Sequence, residues 1–390
     1  MPFHLQRLKS RLSLQSAGDK YHYHGSQLFF VLSQIIVVMS KSLLFVSQTQ
    51  FGYLIDYLKY CKYLKNDFDI VFYCWDHGNR KIEEPGIEIR YISRSGNLVA
   101  RNLRFVRTII KYINEQKSPL IFIDYYRGSS LIPLYCNNGS RMHLDIRTGS
   151  VSGNFANRKI YNTLLRIESL FFKSISIISI GLQQSLGIQK GAYILPLGAT
   201  PINIIRRKEH KIHLLYVGTL TYRRLECTIE GMKLFLDKYP EADIIYTIIG
   251  DGWNNESESL KKMVNDLGLQ KNIHLTGYIP HNDLPQFYET ANVGISFIPM
   301  TSYYDYQPAT KTFEYLMAGM PVIATKTYEN KQVITPLNGV LINDNAVSFA
   351  QGITTIFHDI ESFDEKIIRQ TVQNYDWAKI VNSMKDNILQ

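Results

Sequence analysis

Short apolar segments alternate with stretches of helical periodicity along most of the chain. A first series of apolar segments lies at 42–46, 69–75, 87–92, 120–125, 140–147 and 175–180, and a second lies at 212–218, 242–252, 272–278 and 293–299. Helical patterns separate most of these segments, and a connection of about ten or more residues is what two parallel strands require. The alternation therefore predicts an α/β fold with two doubly wound, Rossmann-like domains.

The 390 residues are enough for two such domains, each with its own core. We place the first domain at residues 39–198, a linker at 199–211 and the second domain at 212–362, because prolines, a glycine and charged residues cluster between the two series. Residues 363–390 have a helical pattern that includes Trp377. We expect these C-terminal helices to pack back toward the first domain.

Residues 1–38 are an N-terminal extension with more than one interpretation. A polar, mildly basic segment is followed by an apolar run from Leu28 to Met39, which is shorter than the roughly 20 residues of a transmembrane helix. An extra helix and a membrane-surface anchor both fit this pattern. We favour a third interpretation, a non-structural extension before a true start at Met39, because a strand pattern begins directly after that residue.

The formal net charge of +9 and the isoelectric point of about 9.1 are compatible with nucleic acid, an anionic membrane surface or phosphate-bearing small substrates. The basic residues are spread along the chain without an arginine-rich tail, so we predict no nucleic-acid partner. The four cysteines are far apart and lack metal-ligand spacing with histidine. We therefore expect buried, reduced thiols. We also expect no metal and no cofactor.

The stretch from Tyr303 to Thr325 contains the first candidate site. A polar loop precedes a predicted helix in which Lys311 and Glu314 are three residues apart and so share one face. Both lie near the start of the helix, where free backbone N–H groups and the helix dipole favour an anion. The pair suits a phosphate and a sugar hydroxyl, although an ordinary ion pair on a helix gives the same pattern.

Several loops after predicted strands contain further candidates. Gly218 would permit close approach of a ligand in the loop 217–226, and Arg223 and Arg224 would clamp a diphosphate, unless they belong to a solvated basic start of a helix. The segment 248–252 lacks the full dinucleotide-binding fingerprint and is interpreted as a turn. Tyr278 and Ile279 could offer backbone groups to a base. Gly52 follows the first strand, either near a ligand or as a plain turn glycine.

Five segments of the second domain resemble the nucleotide-sugar-binding domain of family-4 glycosyltransferases, which have the GT-B architecture. They are YVGTL with RRLE, IIGDG, LGLQKNIHLTGYIP, NDLPQFYETANVGIS and PATKTFEYLMAGMPVIAT, and the match runs from Leu214 to Asp344. The resemblance implies a nucleotide-diphosphate sugar on the second domain and a glycan or lipid-linked acceptor on the first. It further implies retention of configuration without a metal.

The resemblance also assigns roles to individual positions. Glu314 looks like the glutamate that bonds the ribose, Arg224 stands where the family has a diphosphate-binding lysine, and Lys311 lies beside the same phosphates. Tyr278 and Ile279 match the loop that meets the base, and Gly52 matches the glycine loop of the first domain. These positions form the expected donor site together with Gly218 and Arg223.

Two positions depart from the family. The first of two glutamates that the family places eight residues apart is Tyr306 here, and Asp305 beside it is the expected substitute in catalysis. The arginine that usually follows the strand-end glycine is Thr219, so Arg223 is expected to supply that charge.

In the first domain, the segment 142–153 is expected to place His143, Asp145 and Arg147 near the cleft. The family often has a histidine in that loop that contacts the transferred sugar, so the resemblance implies that Asp145 takes this place and that Arg147 binds an acceptor or a phosphate. A buried Asp–Arg structural pair explains the same residues equally well.

These expectations describe a retaining hexosyltransferase of bacterial surface-polysaccharide or glycolipid synthesis. We expect a cytoplasmic protein that associates with the inner face of the membrane, because the basic amphipathic segment from Val99 to Asn114 could dock on anionic lipid. A sugar-nucleotide epimerase and a non-catalytic sugar-nucleotide-binding or scaffold protein are the alternatives.

Overall fold

The computed structural model describes residues 41–116, 119–136, 141–188, 191–202, 211–280 and 283–390. Expectations for residues 1–38 and for the linker between 203 and 210 lie outside the described residues. None of the described helices is long and apolar enough to cross a membrane.

Within the described residues, the first sheet has seven parallel strands in the order β3-β2-β1-β4-β5-β6-β7. The strands are β1 (Lys41–Val46), β2 (Phe68–Asp76), β3 (Ile87–Ser93), β4 (Leu120–Asp124), β5 (Arg141–Ile146), β6 (Ser174–Ile177) and β7 (Tyr193–Ile194). The connecting helices are α1 (Ile55–Leu64), α2 (Leu98–Glu115), α3 (Leu131–Tyr135), α4 (Phe155–Ser169) and α5 (Ile180–Leu186).

The second sheet has six parallel strands in the described part of the chain, in the order β10-β9-β8-β11-β12-β13. They are β8 (Ile212–Val217), β9 (Ile244–Ile249), β10 (Ile273–Gly277), β11 (Val293–Ser296), β12 (Val322–Thr325) and β13 (Gly339–Ile342). The helices are α6 (Glu226–Lys238), α7 (Glu256–Asp266), α8 (Pro285–Thr290), α9 (Thr310–Met317), α10 (Tyr328–Val333), α11 (Ala346–Asp359), α12 (Glu365–Thr371) and α13 (Trp377–Asn387).

Both sheets have the doubly wound strand order, so the predicted fold class is confirmed. In each sheet the strand order reverses between the first and fourth strands, β1 and β4 or β8 and β11. Loops diverge at such a reversal and leave a crevice at the carboxyl ends of the strands. This topology locates the candidate site before any side chain is considered.

The strands bury both faces. Along β1, Leu43 and Phe45 pack into an aromatic-rich cluster on one face, while Leu44 and Val46 pack on the other face. This second cluster continues without interruption into the apolar face of the second sheet around Leu316. All four cysteines are buried and free, as the sequence predicts.

Helix α13 completes the aromatic cluster of the first sheet, although it follows the second sheet in the chain. The Trp377 ring contacts the Tyr60 ring at a centroid distance of 5.8 Å and is 2% exposed. Gly198 makes this packing possible, because a Cβ there would overlap with the indole. Beside it, Ala199 N donates to Tyr375 O at 2.8 Å. The segment that leaves the first sheet and the segment that returns to it as α13 therefore lie side by side.

We expect Trp377→Ala to lower the free energy of unfolding by about 3–5 kcal/mol, because it removes a large side chain from a closed core. Trp253→Ala is the matched control, since Trp253 is 88% exposed and its loss should cost little. Chemical denaturation followed by circular dichroism measures both variants. Equal stability of the two variants would contradict the packing described here.

Candidate functional site

Two glycine loops meet at the carboxyl ends of β8 and β9. Gly218 and Gly250 have φ angles of +147° and +146°, which L side chains rarely adopt. A Cβ on Gly250 would overlap with the carbonyl oxygen of Gly218. Two glycines are therefore required for these loops to approach each other, and together they leave backbone exposed at the crevice of the second sheet.

Lys311 lies in the first turn of α9, and its Nζ is buried against Gly218. The ammonium is 3.6 Å from the centroid of the Tyr216 ring, and a Cβ built on Gly218 would lie 3.2 Å from it. Although part of the side chain remains exposed, the buried Nζ has no hydrogen-bond partner among the described residues. Burial lowers the pKa of Lys311 well below its usual value, and the charge of Arg223 lowers it further, whereas Glu314 raises it.

Arg223 supplies a second cation at the same place. Its guanidinium lies 4.6 Å from the centroid of the Tyr304 ring, and its buried Nε has no partner in the described part of the chain. Arg223 and Lys311 are close enough to repel, as the lowered pKa of Lys311 indicates. A bound anion between them would remove that repulsion and satisfy the free donors.

Glu314 lies one turn after Lys311 on α9 and accepts a hydrogen bond from Tyr288 Oη at 3.3 Å. It also lies near the first domain. Burial and Lys62 lower the pKa of Lys59 on α1, while the carboxylate of Glu314 raises it. Lys59 Nζ donates to Thr200 Oγ1 at 3.0 Å. Glu314 is therefore placed where the two sheets face each other.

The remaining donor-site candidates of the second domain lie at the rim. The guanidinium of Arg224 pairs with Asp344 at 3.1 Å, and the backbone of Arg224 has a φ of +54°. Tyr278 is 73% exposed after β10, and Ile279 is half-buried. Their expected contacts with diphosphate and base remain predictions.

Asp305 holds the start of α10, a role that the sequence did not suggest. Its Oδ1 accepts a hydrogen bond from Tyr328 N at 2.8 Å, and its backbone carbonyl accepts one from Glu329 N at 3.2 Å. The Tyr306 ring packs on the Tyr328 ring at a centroid distance of 5.1 Å. One carboxylate oxygen of Asp305 is thus occupied, and its catalytic role toward a sugar remains a prediction.

The structure corrects the expectation that Asp145 and Arg147 line the cleft. Asp145 is completely buried and accepts hydrogen bonds from Ser176 Oγ at 2.5 Å and Tyr57 Oη at 3.2 Å. The Arg147 guanidinium pairs with Asp56 and donates to Leu195 O at 2.6 Å. The buried arrangement, which the sequence left as an alternative, is therefore what forms, with partners from neighbouring elements, although the Nε of Arg147 has no hydrogen-bond partner among the described residues.

His143, expected in the same loop, is also buried. It lies between the hydroxyl groups of Ser174 and Ser176, and burial lowers its pKa to about 3. The imidazole is consequently neutral and structural.

Gly52 forms a tight turn with a φ of +88°. A Cβ there would overlap with Ile82, so the loop after β1 packs on the loop after β2. The packing against Ile82 is by itself enough to require glycine at position 52. The expected contact of Gly52 with phosphates remains a prediction.

A buried contact joins the two sheets near the candidate site. Ser179 Oγ, which begins α5, donates to Glu329 Oε1 of α10 at 2.7 Å. Gly181 lets α10 approach, since a Cβ there would overlap with Tyr328. Burial raises the pKa of Glu329 to about 7, and the charge of Asp305 raises it as well, against the lowering effect of Ser179.

Comparison with known proteins supports the same region. Residues 211–359 match the family model described as glycosyl transferases group 1. The matched residues comprise the six strands of the second sheet and the helices between them. The mannosylfructose-phosphate synthase of Agrobacterium fabrum (strain C58 / ATCC 33970) is 25% identical to a segment that covers 33% of this chain and 29% of that relative, so the match spans less than a third of its length.

Solved structures resemble this chain over both sheets. A sucrose-phosphate synthase from Thermosynechococcus elongatus gives a TM-score of 0.70 at 16% identity, covering 89% of this chain and 98% of that one. Anabaena HepE in complex with UDP gives 0.68 at 12% identity, covering 89% and 99%. The lipopolysaccharide outer core galactosyltransferase WaaB in its apo form gives 0.65 at 15% identity, covering 90% and 99%. These neighbours identify the fold as GT-B.

Sequence reasoning missed three residues of this site. Tyr216 reads as an ordinary strand residue, Gly250 as a turn, and Tyr304 as part of a polar loop. Tyr216 supports Lys311, Gly250 supports Gly218, and Tyr304 supports Arg223. The one available signal was the glycine that follows each of two neighbouring strands. Among the described residues, no group of three or more His, Cys, Asp or Glu could hold a metal ion.

We expect Lys311→Met to raise the free energy of unfolding of the ligand-free protein by about 1–3 kcal/mol, because it removes a buried donor without a partner. The folded-state pKa is below the unfolded value, so the gain is largest where the unfolded lysine is charged and shrinks as the pH approaches the usual lysine pKa. Denaturation at pH 7 and pH 10 measures it. Lys331→Met, at an exposed position, is the control, and a destabilised Lys311→Met would contradict the assignment.

We expect Glu329→Gln to raise the melting temperature more at pH 8 than at pH 5. The folded-state pKa of Glu329 is about 7, above its ordinary 4.5, so the stabilising effect of the neutral carboxyl is lost as the pH rises through about 7. Glutamine keeps the acceptor for Ser179 without a charge. Thermal melts at the two pH values test this, with the exposed Glu83→Gln as control. The same shift at both pH values would refute a buried neutral acid.

Proposed function

We propose that the protein is a glycosyltransferase that moves a sugar from a nucleotide-diphosphate donor to a glycan or lipid-linked acceptor. The observation that carries the proposal is the buried, partnerless Nζ of Lys311 beside Gly218, within a group 1 glycosyltransferase domain. A cation in that state is costly unless an anion binds to it. The site lies at the strand-order reversal where such sheets bind ligands.

UDP is the first nucleotide to consider, because HepE, which has the same fold, was solved with UDP and with UDP-glucose. In this proposal Lys311, Arg223 and Arg224 bind the diphosphate. Glu314 accepts hydrogen bonds from the ribose, and the loop at Tyr278 and Ile279 meets the base, as the resemblance implies. Arg224 would exchange its exposed pair with Asp344 for the ligand, which costs little because surface pairs contribute little stability.

The transfer breaks the bond between the anomeric carbon and the diphosphate oxygen and forms a bond to the acceptor hydroxyl oxygen. The leaving diphosphate takes the electron pair, and the proton of the acceptor hydroxyl passes to a diphosphate oxygen. Positive charge develops on the sugar ring as in glycoside hydrolysis. Cations placed in advance around the diphosphate stabilise the negative charge as it develops.

The finer features belong to the same proposal. Retention of configuration, independence of a metal and a hexose as the transferred sugar follow from the family resemblance. A role in surface-polysaccharide synthesis, at the inner face of the membrane in the cytoplasm, is supported by the likeness to WaaB and by the basic helix α2.

Isothermal titration calorimetry with UDP tests the donor site. We expect binding by the wild type and a loss of about a hundredfold in affinity for Lys311→Met, since a charge-assisted bond is worth roughly 1.5–3 kcal/mol. Glu314→Ala should weaken the binding of UDP more than the binding of free diphosphate, because it removes the proposed contact with the ribose. Lys331→Met should bind as the wild type does.

Binding should also take up protons, since an anion raises the depressed pKa of Lys311. The affinity then falls as the pH rises above the ligand-free pKa of Lys311. Titrations in two buffers of different ionisation enthalpy measure this uptake, which Lys311→Met should abolish. Failure of UDP, GDP and their sugars to bind would refute the proposal. Binding without release of UDP from any UDP-sugar would favour a non-catalytic protein, and interconversion of free UDP-sugars would favour an epimerase.

A further inference from the structure

A second cluster of unsatisfied donors lies in the first domain, at the carboxyl ends of β2 and β3. The Nε1 of Trp75 and the Nε atoms of Arg94 and Arg101 are buried and have no hydrogen-bond partner among the described residues. Both guanidiniums lie over the Trp75 ring, at 5.1 Å and 5.7 Å from the ring. Trp75 itself is only 7% exposed. We call these three residues the Trp75 cluster.

The cluster carries two positive charges that nearby carboxylates do not neutralise. Asp76 is the adjacent acid in the chain, and it already accepts from Gly78 N at 2.9 Å and pairs with Lys81 at 3.3 Å. In the described part of the chain, neither guanidinium of the cluster forms an ion pair. Partnerless donors, positive charge and a planar fork of N–H groups together suit an oxyanion with several acceptor atoms, such as a phosphate.

The surroundings keep the cluster in place and connect it with the cleft. Arg94 Nη1 is 2.9 Å from His77 Nδ1, and His77 Nε2 is 2.9 Å from Gln48 O. Gln48 Nε2 in turn donates to Asn102 on α2 at 3.1 Å. Gln48 belongs to the loop after β1, next to the strand-order reversal of the first sheet. The cluster is therefore one strand away from the place where the two sheets face each other.

A cavity of about 520 Å³ adjoins the cluster, and Arg94, His77, Lys81 and Tyr91 are among its lining residues. The first turns of α2, the helix that carries Arg101, expose three apolar side chains. Leu98 is 61% exposed, Val99 67% and Leu103 41%. The cavity, the two guanidiniums with unpartnered Nε atoms and the exposed apolar side chains of α2 thus belong to one part of the first domain. An amphiphile with a phosphate head group has parts that match all three.

We propose that the Trp75 cluster binds the phosphate of an amphiphilic, lipid-linked acceptor whose apolar part lies along Leu98, Val99 and Leu103. The inference rests on the proposed function, because it takes the first domain to be the acceptor side. It specifies the acceptor's chemical class, a phosphate ester of a lipid, and it gives the first domain an anion site separate from the donor site at Lys311.

Binding of octyl phosphate below its micelle concentration tests the proposal on the full-length protein, with excess UDP present to occupy the donor site. Calorimetry should detect binding by the wild type, and a loss of about tenfold in affinity for Arg94→Gln and for Arg101→Gln, as for the loss of one charge-assisted hydrogen bond. Trp75→Phe keeps the ring and removes the Nε1–H, so it should also weaken binding. Arg80→Gln is the matched control, because it makes the same charge change at an exposed position.

Two further probes separate the sources of the phosphate. Inorganic phosphate should bind more weakly than octyl phosphate, and octyl glucoside, which lacks the charge, should not compete. Equal binding of inorganic phosphate and octyl phosphate would overturn the lipid part of the proposal. An equal loss in Arg80→Gln, or competition by octyl glucoside, would overturn the phosphate site, because general surface charge or apolar contact would then explain binding.

Failure of the proposed phosphate site can be distinguished from failure of the proposed donor site. Thermal melts confirm that each variant is folded, and UDP affinity measured on the same samples should be unchanged in Arg94→Gln and Arg101→Gln. A parallel loss of UDP affinity would overturn the separate phosphate site. If the wild type binds octyl phosphate through the Trp75 cluster but binds no nucleotide, the proposed transferase activity fails and the phosphate site remains.

Discussion

A lysine ammonium buried without a hydrogen-bond partner is the constraint around which the second domain is arranged. Lys311 is held against the Tyr216 ring, and a cation–π contact recovers part of the solvation that the ammonium has lost. Gly218 leaves room for its Nζ, and Gly250 leaves room for the loop of Gly218. Each of these features costs stability by itself. Under the proposed function, the diphosphate of a bound donor would offset these costs.

In the first sheet, charged groups near the strand-order reversal lie opposite one another and form ion pairs. There Arg147, which follows β5, pairs with Asp56 and lies 3.8 Å from Asp145, although its Nε has no hydrogen-bond partner among the described residues. Burial, together with Asp145, raises the pKa of Asp124 to about 7, against the hydrogen bond from Ser47. One guanidinium thus faces the carboxyl groups of Asp56, Asp124 and Asp145. Protonation of one of these carboxyls lowers the electrostatic repulsion among them. At the carboxyl end of β5 the first sheet therefore pairs its guanidinium with carboxylates, whereas the second sheet leaves Lys311 Nζ and Arg223 Nε without a hydrogen-bond partner among the described residues.

The fold was predictable from the sequence for two reasons. The strands of a parallel sheet are buried on both faces and therefore appear as continuous apolar runs. The helices between them show apolar residues at helical spacing. The position of Lys311 and Glu314 on one helix was predictable because their spacing is a local property of the sequence. The surroundings of Asp145 and Arg147 were not, since Ser176, Asp56 and Leu195 come from distant parts of the chain. Local spacing suggests which residues are charged at a strand end, but only the tertiary contacts decide whether that charge is paired.

The packing of Trp377 against Tyr60 has a consequence for the order in which the chain acquires its structure. During synthesis the first sheet emerges from the ribosome long before α13, and the aromatic cluster on one of its faces needs Trp377, Val381 and Met384. Helix α1 covers part of that face, and the part that α13 covers stays exposed while the whole second domain is being made. The nascent chain therefore exposes an apolar sheet surface until the last helix arrives, and a chaperone that shields sheet faces has its longest opportunity to act in that interval.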